Sequence, residues 1–537
     1  MGEREPMSRL SRRQVLGGAA AAAAALTFSA PSVRAQKGQR TLRFVPHADL
    51  KVLDPIWTTG YITRNHGYLV YDTLFGTDEQ LRIKPQMVEH FTASPDGMTY
   101  TFTLREGLRW HDGQPVRSED CVESLKRWGK KDRLGRLLMA HTGKLAALDQ
   151  KTFTLELAER FAPVLEALGK PSGNVPFMMP ARIAATSPDE PFKEVVGSGP
   201  FKFVKDEWQP GGQAVYVRNP DYVPRQEPPS GSTGGKKVYL DRVLWRYFPD
   251  PPEAENALDA AEVDWWEDPP LDVIPKIEQS PDLQTFLFNP LGTQGWLRPN
   301  HLYPPFNNRK AREALLHIMD QVTYLHWAHG QSKYYRPCHS VFACASPYAT
   351  KAGAEPIMRH DPDRARQLVK ESGYDGRPVV VIQVTDVPFI NAAAIVTRQR
   401  LESIGFNVML RQMDWSTNLT VRTRQTPPDK GGWNILHTWF NSVDVLNPAV
   451  HFGVSGAGLG APFGWPDVPQ LERLTTSWVR TLDEPKRKSL AEEIQKVALG
   501  EVTYVPWGEW FMPTALRKNV SGMLKFTAPV FWNVRLS

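Results

Sequence analysis

Residues 432–465, GWNILHTWFNSVDVLNPAVHFGVSGAGLGAPFGW, carry the pattern around which the rest of the chain is organised. From Trp433 to Phe440 the side chains alternate as in a β-strand, and the segment then becomes rich in Gly, Asn and Ser, which predicts irregular structure. Because ligands of open α/β sheets bind beyond the carboxyl ends of strands, the aromatic and polar side chains that follow Trp433–Phe440 predict a binding-site wall. The same composition also suits a long surface loop with scattered aromatic residues.

The length and composition are those of a multidomain globular protein. A chain of 537 residues is too long for one hydrophobic core, so two or more domains are expected. The formal net charge is +6, but the first 35 residues hold five Arg and two Glu, and without them 59 basic residues face 56 acidic ones, which leaves +3. This charge is too small, and too evenly spread, to predict a nucleic-acid partner.

The N-terminus predicts export. Ser11, Arg12 and Arg13 open a twin-arginine pattern, followed by the Ala-rich apolar segment 17–30. Small residues at Val33 and Ala35 predict cleavage before Gln36. Because position 36 is not a Cys, a lipid anchor is not expected there. No later stretch offers about 18 continuous apolar residues. We therefore expect residues 1–35 to be a signal peptide read by the twin-arginine export machinery, and the mature protein to be soluble in the periplasm.

The three cysteines fit that compartment. Cys338 and Cys344 are close enough in sequence to form a small disulfide loop in an oxidising space. Cys121 lies in a helical pattern and is expected to be an inert core thiol. No Cys or His cluster has metal-ligand spacing, so neither a metal nor a cofactor is expected.

Strand and helix signals alternate along the chain. Thr41–Val45 predicts a strand, and a loop that contains Trp57 and Tyr61 follows it. Asn308 is expected to cap a helix whose apolar stripe runs to Leu325. Residues 379–384, 386–404 and 406–413 predict a strand, helix and strand with a right-handed crossover. Residues 224–237, PRQEPPSGSTGGKK, predict an exposed insertion.

Ten segments of the chain, in order, resemble those of the periplasmic solute-binding proteins of ABC importers, in the large class (family 5) that includes dipeptide- and oligopeptide-binding proteins. They include YDTLFGTD at 71–78, VVGSGPFKF at 195–203, PPFNNRKAREALLHIMD at 304–320, LESIGFNVMLRQMDW at 401–415 and YVPWG at 504–508. The resemblance covers nearly the whole mature chain.

The resemblance implies a type II periplasmic-binding-protein fold, with two α/β lobes hinged by two crossover strands. The first lobe would use residues 36–288 and 505–537, with an extra subdomain inserted within about 75–185, and the second lobe would use residues 289–504. Such a protein is expected to act as a monomer that closes around a small molecule or peptide and is then recognised by an inner-membrane ABC permease.

In peptide-binding members an Asp shortly after the Trp of the second-lobe strand pairs with the peptide amino terminus. Here Ser442 stands at that position and Asp444 follows two residues later, so Asp444 replaces the family residue only through a small insertion. An Asx turn is the alternative role for Asp444. The predicted ligand-binding residues are Trp57, Tyr61, Trp415, Trp439, Asn441, Ser442, Asp444, Asn447 and Trp465.

Two other functions are compatible with the chain. A non-peptide solute, such as an oligosaccharide, an opine or another amine, would use the same cleft, since aromatic-rich clefts also stack sugars; nickel is least favoured for want of ligand clusters. An exported hydrolase is the alternative of a different class, but G-x-S-x-G, H-E-x-x-H and G-x-x-x-x-G-K-[ST] patterns are absent from the sequence.

Overall fold

The computed structural model describes residues 40–537, which form one compact unit. The twin-arginine pattern and the cleavage site predicted before Gln36 lie outside the described residues. Two large β-sheets organise the unit, and each is covered by helices. Among residues 40–537 no helix is both long enough and apolar enough to cross a bilayer.

The first sheet has seven strands and is built mainly from the first half of the chain. Its central strand, Thr41–Val45, pairs in parallel with Arg242–Arg246 on one side and Trp265–Trp266 on the other. In sheet order the strands are Phe201–Phe203, Gln213–Arg218, Arg242–Arg246, Thr41–Val45, Trp265–Trp266, Thr514–Arg517 and Leu283–Phe286.

The second sheet has six strands. Its parallel part contains the predicted strand-helix-strand unit, since Val379–Val384 pairs in parallel with Val408–Met413 and helix Pro388–Ser403 connects them. In sheet order the strands are Tyr335–Arg336, Val505–Trp510, Thr293–Pro299, Ile435–Asn441, Val379–Val384 and Val408–Met413.

The chain crosses between the two sheets twice. It leaves the seven-stranded sheet after Phe286 and enters the six-stranded sheet at Thr293, and it returns between Trp510 and Thr514. Strand Val505–Trp510 therefore belongs with the sheet of the second lobe, although the expected boundary put residues from Val505 with the first lobe. The apolar tripeptide Tyr504-Val505-Pro506 does not distinguish the two sheets, because either interior would bury it.

Smaller sheets complete the first lobe. A four-stranded antiparallel sheet has the order Val88–Ala93, Thr99–Leu104, Thr152–Leu157 and Thr142–Ala147. Two-stranded pairs join Asp72–Thr73 to Phe177–Met178, Phe75–Thr77 to Ile83–Pro85, and Val520–Ser521 to Arg535–Leu536.

The α-helices of the described part are Tyr61–Val70, Ser118–Lys131, Arg133–His141, Val164–Leu168, Ala181–Ala184, Pro251–Asp259, Ile274–Gln279, Arg309–His317, Gln321–His329, Glu355–Arg359, Pro362–Glu371, Pro388–Ser403, Trp415–Val421, Pro469–Arg480 and Glu484–Glu501. The single helix expected from Asn308 to Leu325 is two helices. Asn308 caps the first, and the side chain of Asp320 accepts a hydrogen bond from Thr323 N and starts the second.

The segment 224–237 is only partly the exposed insertion that its composition predicts. Residues 231–236 are buried, and Lys236 forms a buried ion pair with Asp72, 2.7 Å between Nζ and Oδ1. Gly231 has a φ of +54°, and a Cβ at this position would lie 2.5 Å from the carbonyl oxygen of Thr77, so glycine is required there by both conformation and space. Cys338 and Cys344 form a disulfide in the second lobe, and Cys121 is a buried free thiol.

Candidate ligand-binding site

The site is built on the carboxyl end of strand Ile435–Asn441. A short 3-10 helix, Ser442–Val445, follows the strand at once and carries Asp444. The backbone N–H of Ser442 donates to the carbonyl oxygen of Gly292, 2.9 Å away, which ties this turn to the first crossing between the lobes. Asp444 is thereby held next to the hinge.

Tyr61, from the first lobe, meets this turn. Its hydroxyl donates to Oδ2 of Asp444 at 2.6 Å and accepts the backbone N–H of Asn441 at 3.1 Å. Tyr61 is the first residue of helix Tyr61–Val70, so the helix carries the phenol to the second lobe. The structure thus brings together three of the predicted site residues in one interlobe contact.

Two further first-lobe residues, which sequence reasoning missed, extend the contact. Ser172 Oγ lies 3.3 Å from the same Oδ2 of Asp444, and Arg64 donates through Nη1 to Ser172 Oγ at 2.9 Å. The Arg64 guanidinium also lies over the Tyr61 ring, 4.6 Å from its centroid. Oδ1 of Asp444 makes no hydrogen bond with any residue of the described part, which leaves one carboxylate oxygen uncommitted.

Burial is the largest influence on the pKa values of Asp444 and Tyr61. It raises the pKa of Asp444 above the usual value, while the Tyr61 hydrogen bond and the charges of Lys170 and Arg64 act in the opposite direction. Burial also raises the pKa of Tyr61 well above its usual value, and the negative charge of Asp444 adds to that effect. Tyr61 therefore stays a neutral donor throughout the physiological range.

Aromatic side chains form a surface beside the polar contact. Trp439, two residues before Asn441, lies 4.6 Å from Trp415 between ring centroids, with the ring planes at 35°. Phe389 packs edge-on against Trp439 at 5.0 Å. Trp415 and Trp439 are half-buried, so part of their faces remains available to a ligand.

The remaining predicted residues lie outside this constellation. Trp465 is buried in the core against Trp433, 5.7 Å between centroids. Asn447 uses its side-chain oxygen to accept the N–H groups of Ala449 and Val450, which is a turn-capping role. Trp57 is 39% exposed, and its indole N–H donates to the carbonyl oxygen of Asp189 within the first lobe. The Ser442 hydroxyl is buried and has no partner among the described residues.

One group of metal-ligating residue types occurs among residues 40–537, and it consists of Cys338, Cys344 and Glu509. Both sulfur atoms of this group are joined in the disulfide, and metals bind the thiolate form of cysteine. Glu509 is in turn engaged by Arg336 at 2.7 Å. The group therefore has a structural role.

Two α/β lobes joined by two chain crossings, with a hydrogen-bond network that spans them, define the two-lobe, type II periplasmic-binding-protein fold. The hinge at the crossings permits the lobes to open and close.

The chain belongs to the bacterial extracellular solute-binding proteins of family 5, whose family model, described as family 5 middle, matches residues 82–452. The probable peptide ABC transporter periplasmic-binding protein y4tO of Sinorhizobium fredii is 38% identical over 535 residues, which cover 98% of this chain and 99% of that protein. The resemblance seen in the sequence is confirmed. Proteins of this family are transport components, so the hydrolase alternative is set aside.

Solved structures show the same fold at low sequence identity. Helicobacter pylori DppA in complex with the peptide STSA superposes with a TM-score of 0.77 at 22% identity, covering 92% of this chain and 98% of that one. AgaA of A. tumefaciens R10 in complex with agropinic acid gives a TM-score of 0.76 at 21% identity, covering 93% of this chain and 99% of that one.

Proposed function

We propose that the protein is the extracytoplasmic substrate-binding component of an ABC importer, which captures a di- or oligopeptide between its lobes and delivers it to an inner-membrane permease. The observation that carries the proposal is the position of Asp444, a half-buried carboxylate held between the lobes with Oδ1 uncommitted. A buried carboxylate favours a cationic partner, and the α-amino group of a peptide supplies one. The relative y4tO is itself named as a probable peptide transporter component, which supports the same ligand class.

The proposed mechanism is lobe closure over the ligand. Tyr61 connects the lobes through Asp444 and the Asn441 backbone, and a peptide amine at Oδ1 would add charge compensation to the same contact. A ligand shifts the balance toward the closed form only by the free energy of contacts that the open form lacks. The Trp415–Trp439 surface would pack against the peptide side chains.

We further propose the cellular setting and the domain limits. The protein would be exported by the twin-arginine machinery, cleaved near Ala35, and act as a monomer in the periplasm. The first lobe would comprise residues 36–288 and those after about 512, with the inserted subdomain within 75–185, and the second lobe the residues between. The last limit follows strand Val505–Trp510, which pairs with Thr293–Pro299 of the second lobe.

A second candidate is the same role with a non-peptide solute. The agropinic acid named for AgaA is a specific observation in favour of an opine, and the Trp415–Trp439 pair would suit a sugar face. Both solutes would occupy the same cleft, so the two candidates differ in ligand and not in mechanism.

Thermal unfolding with an equimolar library of di- to pentapeptides tests the function. The mature protein is expected to unfold at a higher temperature with the library, and mass spectrometry should recover the bound peptides intact. D444N, which removes the charge but keeps the shape, should weaken binding of peptides with a free amino terminus by about tenfold or more. The matched control is D429N, at an exposed carboxylate of the second lobe.

Three results would contradict parts of this proposal. Stabilisation by opines or oligosaccharides but not by the peptide library would establish the non-peptide candidate. Unchanged peptide affinity in D444N would remove Asp444 from the site. Hydrolysis of the stabilising peptide at enzyme-like rates would contradict the transport role.

A further inference from the structure

A loop of the inserted subdomain, residues 158–163, reaches across to the second lobe. It follows strand Thr152–Leu157 of the four-stranded sheet. The carbonyl oxygen of His141 accepts the backbone N–H groups of Ala158 and Glu159, at 2.8 and 3.3 Å. The start of the loop is therefore fixed within the first lobe, and the residues after it contact the second lobe from a defined position.

A backbone hydrogen bond joins this loop to the end of a second-lobe helix. The N–H of Ala162 donates to the carbonyl oxygen of Val479 at 2.6 Å. Val479 lies in the last turn of helix Pro469–Arg480, and the last four carbonyl groups of a helix have no partner within the helix. A first-lobe N–H thus caps a second-lobe helix, and we expect both groups to return to water when the lobes part.

An ion pair accompanies the backbone bond. The carboxylate of Glu159 pairs with the guanidinium of Arg480, and the two side chains are 56% and 48% exposed. An exposed pair of this kind contributes little to the stability of a fold. The open and closed forms of a hinged protein, however, differ only slightly in free energy, so a small contribution made in one form alone changes their populations.

A second ion pair of the same polarity lies on the next helix. Nη1 of Arg487 is 3.5 Å from Oε1 of Glu166, which belongs to the inserted subdomain. Second-lobe residues hold the Arg487 guanidinium in place, since it lies 3.9 Å from the centroid of the Trp478 ring and 3.7 Å from Glu484. A side chain that is already ordered loses little further freedom when it pairs. Arg487 is therefore prepared to receive Glu166 on closure.

We propose that residues 159–166 of the inserted subdomain and residues 478–487 of the second lobe form an electrostatic latch that stabilises the closed protein. The proposal rests on the proposed binding function, because it gives the inserted subdomain the task of retaining the solute. Both acids belong to the first lobe and both bases to the second, so the charges attract as the lobes approach. The latch shares no residue with the Tyr61–Asp444 contact, and it therefore raises affinity without selecting the solute.

Charge reversal at the exposed pair tests the latch in the mature protein. E159R places two guanidinium groups opposite each other, and R480E places two carboxylates there. At low ionic strength each variant should need about threefold more of the di- to pentapeptide library for the half-maximal thermal shift. E159R/R480E restores opposite charges in exchanged positions and should return to the wild-type concentration.

A matched control and a salt series separate the latch from general effects of charge. E194R reverses the acid of the Arg182–Glu194 pair, which lies within the first lobe and is 49% and 55% exposed, and it should behave as wild type. At about 0.5 M NaCl the wild type and E159R should need similar concentrations of the library, because salt screens exposed charges. R480E, with its own comparison to the double variant, decides the question if E159R does not fold.

Wild-type half-maximal concentrations for E159R and R480E would overturn the latch and leave the peptide-binding function in place. A loss of affinity that E159R/R480E does not recover, or that E194R shares, would overturn it as well. Failure of the library to stabilise any of these proteins would contradict the proposed peptide function instead. Small-angle X-ray scattering of the ligand-free proteins would then decide the latch. A larger radius of gyration for E159R that the double variant reverses would support it, and equal radii would overturn it.

Discussion

The hydroxyl of Tyr61 lies 2.6 Å from Oδ2 of Asp444, although 383 positions separate the two residues and they belong to different lobes. The same hydroxyl accepts the N–H of Asn441, so one first-lobe side chain engages both the strand end and the turn that follows it. Because the contact spans the lobes, we expect it to break when they open. It therefore couples the state of the candidate site to the conformation of the whole molecule.

Removing the Tyr61 hydroxyl should favour the open form. A hydrogen bond to a charged group contributes about 1.5–3 kcal/mol, so Y61F should shift the ligand-free protein toward the open arrangement. Small-angle X-ray scattering should report a larger radius of gyration for Y61F than for wild type. Saturating ligand should reduce the difference, because ligand contacts favour closure independently.

The chain offers a matched control in Tyr222. Its hydroxyl donates to Oδ2 of Asp72 at 2.9 Å, with both residues in the first lobe. Y222F removes the same kind of bond without touching the lobe interface, so it should lower the unfolding temperature and leave the radius of gyration unchanged. Equal scattering from Y61F and wild type would show that the Tyr61 contact does not control closure.

His47 should make the stability of the first lobe depend on pH. Its Nδ1 lies 2.8 Å from Oε2 of Glu267. Burial alone would lower the pKa of His47, but the charge and the hydrogen bond of Glu267 outweigh it, with a further contribution from Asp268, and the pKa is raised. A raised folded-state pKa gives stabilisation that is complete below the unfolded value of about 6.5 and is lost as the pH rises through the folded value.

The free energy of unfolding, measured by chemical denaturation between about pH 6 and pH 9, would show this effect. It should fall by about 1.4 kcal/mol for each unit by which folding raises the His47 pKa. H47Q has no titrating group at this position, so the part of the slope due to His47 should disappear. An identical pH profile for H47Q and wild type would contradict the assignment.

The Cys338–Cys344 disulfide should be detectable by alkylation. Under denaturing conditions without reductant, only Cys121 should react, and all three cysteines should react after reduction. In the native protein Cys121 should be inert, since it is buried and burial raises its pKa. The double variant C338S/C344S should lose about 2 kcal/mol of stability, as expected for so short a loop. Three reactive thiols in the unreduced protein would exclude the bond.

The twin-arginine pattern predicts the export route. Replacing Arg12 and Arg13 by Lys keeps the charge of the leader but removes the guanidinium pair. The precursor should then accumulate in the cytoplasm, as cell fractionation and immunoblotting would show. N-terminal sequencing of the exported wild-type protein is expected to begin at Gln36. Normal export of the double Lys variant would indicate a different route.

Local patterns predicted much of the second lobe. The run at 379–384 is apolar except for Gln383, as expected for a fully buried parallel strand, and the strand at 408–413 lies beside it where the sequence predicted a strand. The break between Arg309–His317 and Gln321–His329 was missed because the apolar spacing continues through it. The cap at Asp320 interrupts the backbone without interrupting that spacing.

Some of the predicted site residues lie together in the structure, and others do not. Tyr61, Trp415, Trp439 and Asp444 were predicted as polar or aromatic residues next to strand ends, and the structure places them in contacts beside the interlobe network. Trp465 had the same sequence signature but lies in the core.

Periodicity, caps and family segments are local properties of the chain, and they were enough to predict the class of the protein, its α/β alternation and the position of the loop that carries Asp444. The packing of distant segments, in contrast, places Asp444 against Tyr61 and Ser172 and pairs Val505–Trp510 within the second lobe. Each of these depends on which distant segments are packed together. Periodicity predicts that one face of an element is buried. The residues that pack against that face depend on the strand order and on the closure of the lobes.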